Sequence, residues 1–309
     1  MSTLLYTHAA CIDHNPGLYH PESPHRLKAV LGILEGEEFA LLDRREAPRA
    51  DLAWIERVHD PFYTKQILDS VPTDGQTQLD PDTALSPASG EASLRAAGAA
   101  CAAVDAVVGG EARAAFCAVR PPGHHAERAR AMGFCLFNNV AIAALHARVA
   151  HGVKRIAVVD FDVHHGNGTQ SAFWDDPNLF YGSSHQWPAY PGSGMESERG
   201  VADNIVNVRL RPGAGSKEFR HAYSGTILPA LSDFRPELLI ISAGFDAHNR
   251  DPLAQLELAT QDYGWVTREL LNIANAHCKG RVVSSLEGGY DLEALAQSVA
   301  LHVRTLMEG

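Results

Sequence analysis

The chain has 309 residues, of which 45% are hydrophobic and 20% charged, and its 26 basic and 37 acidic residues give a formal net charge of −11. That balance argues against a protein that binds nucleic acid, because phosphate recognition needs a clustered basic surface. No stretch approaches the roughly 18 uninterrupted apolar residues of a membrane span, and the start, MSTLLYTHAACIDHNPG, has no basic segment of a secretory signal, so we expect a cytoplasmic protein that does not bind membranes.

Short β-branched runs alternate with Ala-rich helical stretches along the chain. This alternation predicts an α/β fold, in which a largely parallel sheet is covered by helices on both faces. With no repeat and no low-complexity linker, residues 1–309 are expected to form a single domain. The predicted strands are 114–119, 155–160, 179–184, 204–210, 238–244 and 281–289; the helices are 90–108, 138–150, 216–231, 260–277 and 291–307, the last with Asp291 as N-cap; and the loops are 72–90 and 185–203.

Polar clusters follow four of the predicted strands. RPPGHHA comes after 114–119, DFDVHHGNG begins at the end of 155–160, FDAH follows 238–244, and EGGY follows residues 281–286 of the last strand. In open α/β sheets the ligand site lies beyond the carboxyl ends of the strands. The four clusters are therefore expected to converge on one site. The five scattered cysteines, which form no C-x-x-C pair, are assigned no role.

The run DFDVH carries candidate metal ligands. Strand alternation would place Asp160, Asp162 and His164 on one side, where carboxylates are costly to bury without a cation. Asp/His ligation without a thiolate suits Zn²⁺, with Fe²⁺ or Mn²⁺ as substitutes. A catalytic zinc needs a third protein ligand, and Asp246 after the strand 238–244 is the natural candidate. Asp160 better suits a supporting role, accepting a hydrogen bond from a histidine ring.

Adjacent histidines follow a rigid Pro-Pro turn in RPPGHHA. Amide hydrolysis needs a base for the attacking water and an acid for the leaving amine, and histidine suits both steps. His124 and His125 can divide the work only if each ring has its own partner, for which Asp160 and Asn167 are the candidates. The glycines before Tyr290 leave its phenol projecting, either to stabilise an oxyanion or to pack as a structural tyrosine.

Taken together, RPPGHHA, GFCLFNN, DxDVHHGNGTQ, GFDAH and LEGGY resemble the histone deacetylase superfamily, in which the same motifs occur in this order. That group includes bacterial lysine deacetylases and acetylpolyamine amidohydrolases. The resemblance implies a three-layer α/β/α fold around an eight-stranded, mainly parallel sheet. It also implies a zinc-dependent hydrolase that removes acetyl or other acyl groups from lysine side chains with a metal-activated water. Asp162, His164 and Asp246 would hold the Zn²⁺.

The resemblance also implies roles for the other polar residues. His125 would act as general base and acid, and His124, paired with Asp160, as its electrostatic partner. Tyr290 would polarise the acyl carbonyl. Asn167 stands where many members have Asp behind the second histidine, a variant that looks like the class II branch. A neutral partner should leave His125 less basic than a carboxylate would.

Further positions match the family's substrate and ion sites. Phe134 and Tyr190 match the walls of an acyl-lysine tunnel, Asp82 a rim carboxylate that grips substrate backbone, and Arg26 an arginine lining an acetate-release channel. The resemblance also implies a structural K⁺ site, formed by Asp160, the main-chain oxygens of Asp162 and His164, and Ser183.

Leu253 matches a position at the tunnel mouth where polyamine-specific members carry Glu. Leu therefore favours acyl-lysine in proteins or peptides, and acetylated polyamines or other small amides stay open as alternatives. Two less favoured readings are an arginase-like dimetal ureohydrolase and a non-catalytic binding protein on the same scaffold. Homo-oligomers are compatible with the sequence.

Overall fold

Residues 2–309 are described by a computed structural model. Eight strands form one sheet in the order β2-β1-β5-β10-β9-β6-β7-β8, and every neighbouring pair is parallel. A separate antiparallel pair is formed by β3 and β4. The strands are β1 (Thr3–Thr7), β2 (Asp43–Glu46), β3 (Thr77–Asp80), β4 (Thr83–Leu85), β5 (Ala114–Cys117), β6 (Ile156–Asp160), β7 (Leu179–Gln186), β8 (Ile205–Leu210), β9 (Leu238–Ala243) and β10 (Val282–Leu286).

Helices cover both faces of the sheet. On one side α5 packs against α6, α1 and the strands β1, β5 and β10; on the other α11 packs against α2, α10 and β5. A π-helical turn at Tyr223–Ile227 joins α8 to α9. The helices are α1 (Ala9–Asp13), α2 (Pro24–Leu34), α3 (Leu52–Ile55), α4 (Pro61–Asp69), α5 (Ser89–Val108), α6 (Asn139–His151), α7 (Asn167–Phe173), α8 (Ser216–Ala222), α9 (Leu228–Phe234), α10 (Thr260–His277) and α11 (Leu292–Glu308), with a 3₁₀ turn at Glu37–Phe39.

The burial of the strands follows from their place in the sheet. The central strands β5, β6, β9 and β10 are buried at every position, as expected for parallel strands covered on both faces. By contrast β2, with sequence DRRE, pairs only with β1 and alternates between half-buried and exposed residues. Charged residues on such an edge discourage pairing with another chain.

The predicted fold class is confirmed: an eight-stranded parallel sheet lies between helical layers. The predicted helices 90–108, 138–150, 260–277 and 291–307 agree with α5, α6, α10 and α11 to within about one residue, and the Asp291 carboxylate accepts a hydrogen bond from the Ala294 N–H (2.8 Å) as an N-cap. The single-domain organisation stays a prediction. Across residues 2–309, every helix is too short or too polar to cross a bilayer.

Several predicted boundaries were wrong, among them that of the strand predicted at 281–289, which ends at Leu286. The predicted loop 72–90 contains the β3–β4 pair and the start of α5, and the predicted loop 185–203 begins too early because β7 continues to Gln186. The helical stretch predicted at 216–231 continues to Phe234 and includes the π-helical turn. Strands β1 and β2 were not predicted from local sequence pattern.

Two helical glycines should respond oppositely to substitution by alanine. A Cβ on Gly98 of α5 would lie 1.9 Å from the Pro48 carbonyl oxygen, whereas one on Gly32 of α2 would meet nothing within 4 Å. We expect Gly98→Ala to lower the free energy of unfolding by about 1–3 kcal/mol through overpacking. Gly32→Ala should raise it by about 0.5–1 kcal/mol, since alanine restricts the unfolded chain. Urea unfolding measures both; equal effects would contradict the proposed α5 contact.

Candidate metal centre and active site

The four polar clusters meet because their strands are neighbours. The sheet order places β5, β10, β9 and β6 side by side, so the loops after their carboxyl ends share one edge. The strand β6 ends at Asp160, and Asp162 and His164 therefore lie in the following loop. We predicted that strand alternation would place Asp160, Asp162 and His164 on one side of a strand. That explanation was wrong, because only Asp160 belongs to the strand. The loop after it nevertheless brings Asp162 and His164 together.

Asp162, His164 and Asp246 converge, with one potential ligand atom of each within 4.8 Å of the others. The His164 Nδ1 atom lies 3.1 Å from Asp162 Oδ1 and 3.2 Å from Asp246 Oδ2. The second oxygens are held by backbone: Asp162 Oδ2 accepts from the Gly288 N–H and Asp246 Oδ1 from the Val163 N–H, each at 2.9 Å. A Cβ on Gly288 would lie 2.1 Å from Asp246 Oδ2, so only glycine permits this approach.

The donor set fits a divalent cation. Asp246 Oδ2 is buried and has no hydrogen-bond partner, although it faces the other two ligand atoms. Ligand atoms on one tetrahedral Zn²⁺ are about 3.3 Å apart, given bond lengths of about 2.0–2.2 Å, and the separations from His164 are close to that. Burial opposes the charged imidazole, yet the nearby carboxylates of Asp162 and Asp246 raise the pKa of His164 to about 10. The cluster thus attracts positive charge.

A second group of metal-ligand type contrasts with this one. Asp105, His146 and His151 lie where α5 and α6 end, away from the carboxyl edge of the sheet. Both imidazole Nε2 atoms approach the Asp105 Oδ1 atom, at 2.7 Å for His146 and 2.6 Å for His151. These are hydrogen-bond distances, shorter than the spacing of ligands on one ion. Hydrogen bonding accounts for this group without a cation.

His124 is held as a positively charged ring. Its Nδ1 atom lies 3.0 Å from Asp160 Oδ2, and its Nε2 atom lies 3.8 Å from Asp162 Oδ1. Burial opposes the charge, but the carboxylates of Asp162 and Asp160 raise the pKa of His124 to about 10. Asp160 is itself fixed, since Oδ2 also accepts from the Tyr181 hydroxyl (3.0 Å). His124 is therefore suited to hold a proton throughout a reaction.

His125 has the opposite character. Its Nδ1 atom lies 2.8 Å from Asn167 Oδ1, and its ring centroid is 4.0 Å from that of His124. Burial and the positive charges of His124 and His164 lower the pKa of His125 well below its ordinary value. The two adjacent rings thus have different partners and different charges. His125 is the one that can accept a proton.

Glu287 is a site residue that the sequence reasoning missed. It is fully buried, and its Oε2 atom accepts from the Gly123 N–H (2.7 Å) and the His124 N–H (3.2 Å). Its Oε1 atom accepts from the Ser242 hydroxyl (3.1 Å). Burial raises its pKa to about 7. Glu287 fastens the histidine loop to the strand ends of β9 and β10; its place in LEGGY, next to a buried strand, was the available signal.

A buried ion network lies behind Tyr290, and its acidic member was also missed. Glu22 is fully buried and binds two fully buried arginines, Arg120 and Arg26. The Arg26 side chain donates to the carbonyl oxygens of Glu287 and Gly289, and its guanidinium carbon lies 4.8 Å from the Tyr290 ring centroid. This places Arg26 directly beneath the pocket floor. Its role in an acetate channel stays a prediction.

One pocket with a volume of about 220 Å³ leads to the imidazole pair. Phe134 and Tyr190 form apolar walls, with the Phe134 ring 5.9 Å from the Tyr290 ring. Leu253, about two-fifths exposed, and Asp82 also line it, and Asp82 Oδ1 accepts from the Gly133 N–H (3.1 Å). Burial raises the pKa of Tyr290, so its hydroxyl remains a donor. The complete lining is Asp82, Pro122, His124, His125, Gly133, Phe134, His164, Tyr190, Leu253, Gly288 and Tyr290.

The residues of the predicted K⁺ site are also close together. Ser183 on β7 is the register partner of Asp160 on β6, and both are fully buried. The Ser183 hydroxyl lies 3.0 Å from His185 Nδ1. The ion itself stays a prediction. All five cysteines are buried and free.

Comparison with known proteins defines the class of this site. Residues 20–306 match the sequence profile of the histone deacetylase domain, so the chain belongs to the histone deacetylase family of hydrolases. It is 40% identical to the histone deacetylase-like amidohydrolase of Pseudomonas aeruginosa (87% of this chain, 71% of that one) and 38% identical to the mouse polyamine deacetylase HDAC10 (93% and 45%). The crystal structure of the HDA15 HD domain superimposes with a TM-score of 0.94 at 33% identity, over 99% of this chain and 88% of that one.

Removing Asp246 should weaken metal binding. We expect Asp246→Asn to lower Zn²⁺ affinity by more than the roughly 10–100-fold lost when a residue that only orients a ligand is removed. Asp105→Asn is the matched control and should keep the metal content of the parent protein. Elemental analysis after dialysis against a weak chelator measures both. Full zinc occupancy in Asp246→Asn would remove Asp246 from the ligand set.

Proposed function

We propose that this chain is a zinc-dependent deacylase that removes acetyl or other acyl groups from lysine side chains in proteins or peptides. One observation carries the proposal: His164 of the ligand cluster, the unequal imidazole pair and the Tyr290 phenol line a single pocket with aromatic walls, and Asp162 and Asp246 lie next to His164. The match to a hydrolase family supports it. Zn²⁺, with Fe²⁺ as a substitute, and the cytoplasmic location are parts of the proposal.

The pocket suits an extended acyl-lysine side chain. The aromatic rings of Phe134 and Tyr190 would contact its four methylenes, each worth about 0.8 kcal/mol when buried. Asp82 near the rim would accept hydrogen bonds from substrate backbone N–H groups. The acyl group would then reach the floor, between Tyr290 and the histidines. Arg26, beneath Tyr290, would attract the carboxylate product.

The residues divide the proton transfers between them. A cation held by Asp162, His164 and Asp246 would supply a Lewis acid at the floor of the pocket. His125, the neutral ring, takes a proton from the attacking water as the new C–O bond forms. It then delivers that proton to the lysine nitrogen as the C–N bond breaks, which gives a neutral amine and a carboxylic acid. The acid then loses its proton to the amine or to water, so the products leave as a carboxylate and an ammonium.

Two other side chains stabilise the charge that develops. The Tyr290 hydroxyl donates a hydrogen bond to the acyl oxygen as it becomes an oxyanion. His124 would keep its proton, because its Nδ1 atom lies 3.0 Å from the carboxylate of Asp160, which favours the charged form. Its positive charge beside the reacting atoms offsets the negative charge on the acyl oxygen. The arrangement needs one cation, whereas an arginase-like reaction would need two.

Deletion of the base gives the direct test. His125→Ala should lower kcat on an acetyl-lysine peptide by at least about 10²-fold while zinc stays bound at one per chain. His221→Ala, at an exposed histidine, is the control and should keep full activity. Turnover is measured on acetyl-lysine peptides, longer acyl-lysines and acetylpolyamines, with and without chelator. No chelator-sensitive turnover on any of them would favour the non-catalytic binding protein.

A second candidate substrate is an acetylated polyamine. Asp82 puts a carboxylate in the pocket lining, where it could meet a second ammonium group, and a polyamine deacetylase is among the relatives. Leu253 at the same pocket offers no such pairing, which favours acyl-lysine.

Charge at position 253 should shift this preference. Leu253→Glu should raise kcat/KM for acetylated polyamines relative to acetyl-lysine by roughly two- to fivefold, since a part-exposed ion pair is worth up to about 1 kcal/mol. Leu253→Gln introduces a side chain of the same shape as glutamate but without its charge. It should leave the ratio of the two kcat/KM values near that of the parent protein. Equal ratios in the two variants would show that the selectivity lies elsewhere in the pocket.

A further inference from the structure

The amide of Asn167 has a carboxylate behind it. Its Nδ2 atom lies 2.8 Å from Glu127 Oε1, 3.3 Å from the His125 carbonyl oxygen and 3.4 Å from Met132 Sδ. Its Oδ1 atom faces His125 Nδ1. We infer that Glu127 is a positioning residue for His125, which fixes the orientation of the Asn167 amide and so the tautomer of the base. This inference rests on the proposed function.

The contacts leave the Asn167 amide one favourable orientation. All three neighbours of its NH₂ group are hydrogen-bond acceptors, and the carboxylate of Glu127 is the strongest of them. A reversed amide would place its oxygen against that carboxylate and the His125 carbonyl oxygen. The oxygen must therefore face His125 Nδ1, and only a protonated Nδ1 can donate to it. Nε2 is then free to accept a proton, as the proposed reaction requires.

Glu127 also places a negative charge near the contact between His125 and Asn167, which involves no charged partner when the sequence motifs are considered alone. A carboxylate that accepts from one end of an amide polarises it and makes the oxygen at the other end a better acceptor. The chain His125–Asn167–Glu127 thus places a negative charge one residue behind the base. From the amide of Asn167 alone, we expected His125 to be less basic than it would be beside a carboxylate. The charge of Glu127 would reduce that difference.

The position of Glu127 suits this role. Its backbone N–H donates to the Arg130 carbonyl oxygen (3.0 Å), and its own carbonyl oxygen accepts from His59 Nδ1 (2.9 Å). Its side chain lies on a separate groove, shared with Asn167 and Met132, and is not part of the substrate pocket lining. Glu127 can therefore change the rate of the reaction without contacting the substrate.

A double-mutant cycle separates this role from a structural one. Glu127→Gln keeps an oxygen that can accept from the Asn167 amide but removes its charge, so it should lower kcat roughly three- to tenfold, about the difference between a charged and a neutral hydrogen bond, with KM changed less than twofold. In an Asn167→Asp background the sign should reverse. There the two carboxylates face each other across the same 2.8 Å contact, and Glu127→Gln replaces the repulsion with a donor, so kcat should rise.

The controls and the contradicting results are specific. Asp175→Asn removes an acidic residue from the same groove, away from Asn167, and should leave kcat and KM unchanged. Zinc content and melting temperature are measured for every variant. An unchanged kcat in Glu127→Gln, or a fall in kcat in the Asn167→Asp background as well, would overturn the inference.

A spectroscopic measurement tests the tautomer without turnover. In ¹⁵N-histidine-labelled protein, the resonance that disappears in His125→Ala identifies the ring of the base. We expect a protonated Nδ1 in the parent protein and a detectable Nε2–H population in Glu127→Ala, where the amide can reverse. An identical tautomer in both would overturn the positioning role. A protein with the expected tautomers but no turnover would instead refute the proposed function.

Discussion

Two buried carboxylates facing one imidazole are the constraint around which this structure is arranged. Asp162 and Asp246 have almost no solvent contact, and each has one oxygen bound by a backbone N–H and the other turned toward His164. Buried carboxylates that are not compensated by positive charge destabilise a fold by several kcal/mol. The raised pKa values of His124 and His164 reflect the same demand. A single divalent cation bound by these three residues would compensate both carboxylates.

The sheet gives this cluster its rigidity. The side-by-side strands β5, β10, β9 and β6 bring loops that are far apart in sequence to one edge, where Glu287 binds the histidine loop through two backbone N–H groups. Behind them, Glu22 joins Arg26 and Arg120 in a fully buried network. Removing one member of such a network leaves a buried charge unpaired, which is far more costly than an exposed ion pair. The geometry of the pocket floor thus depends on the buried charges of Glu22, Arg26 and Arg120, which lie behind it and do not line the pocket.

The sequence predicted what local pattern can encode. The central strands are continuous apolar runs, and the motif residues lie at their ends, so the fold class and the convergence of Asp162, His164 and Asp246 followed from spacing and resemblance. The edge strand β2 reads DRRE and shows no apolar pattern, because only one neighbour and one layer bury it. Contacts such as Asn167–Glu127 depend on how two loops meet, 40 residues apart, and no local pattern encodes them.

The short distance between the His124 and His125 rings explains why the partner of His125 is a neutral amide. With the ring centroids 4.0 Å apart, two charged imidazoles would repel each other by about 4 kcal/mol at an effective dielectric constant near 20. A carboxylate in direct contact with each ring would favour that doubly charged state before any substrate arrived. An amide in contact with His125, with its carboxylate one step further away, would keep the ring neutral and correctly oriented until the proposed reaction supplies a proton. The same carboxylate still lowers the cost of the charged ring that forms. With Asn167 in place of aspartate, the amide would set the orientation of His125 and the carboxylate of Glu127 would compensate its charge. A single carboxylate in contact with the ring would have to do both.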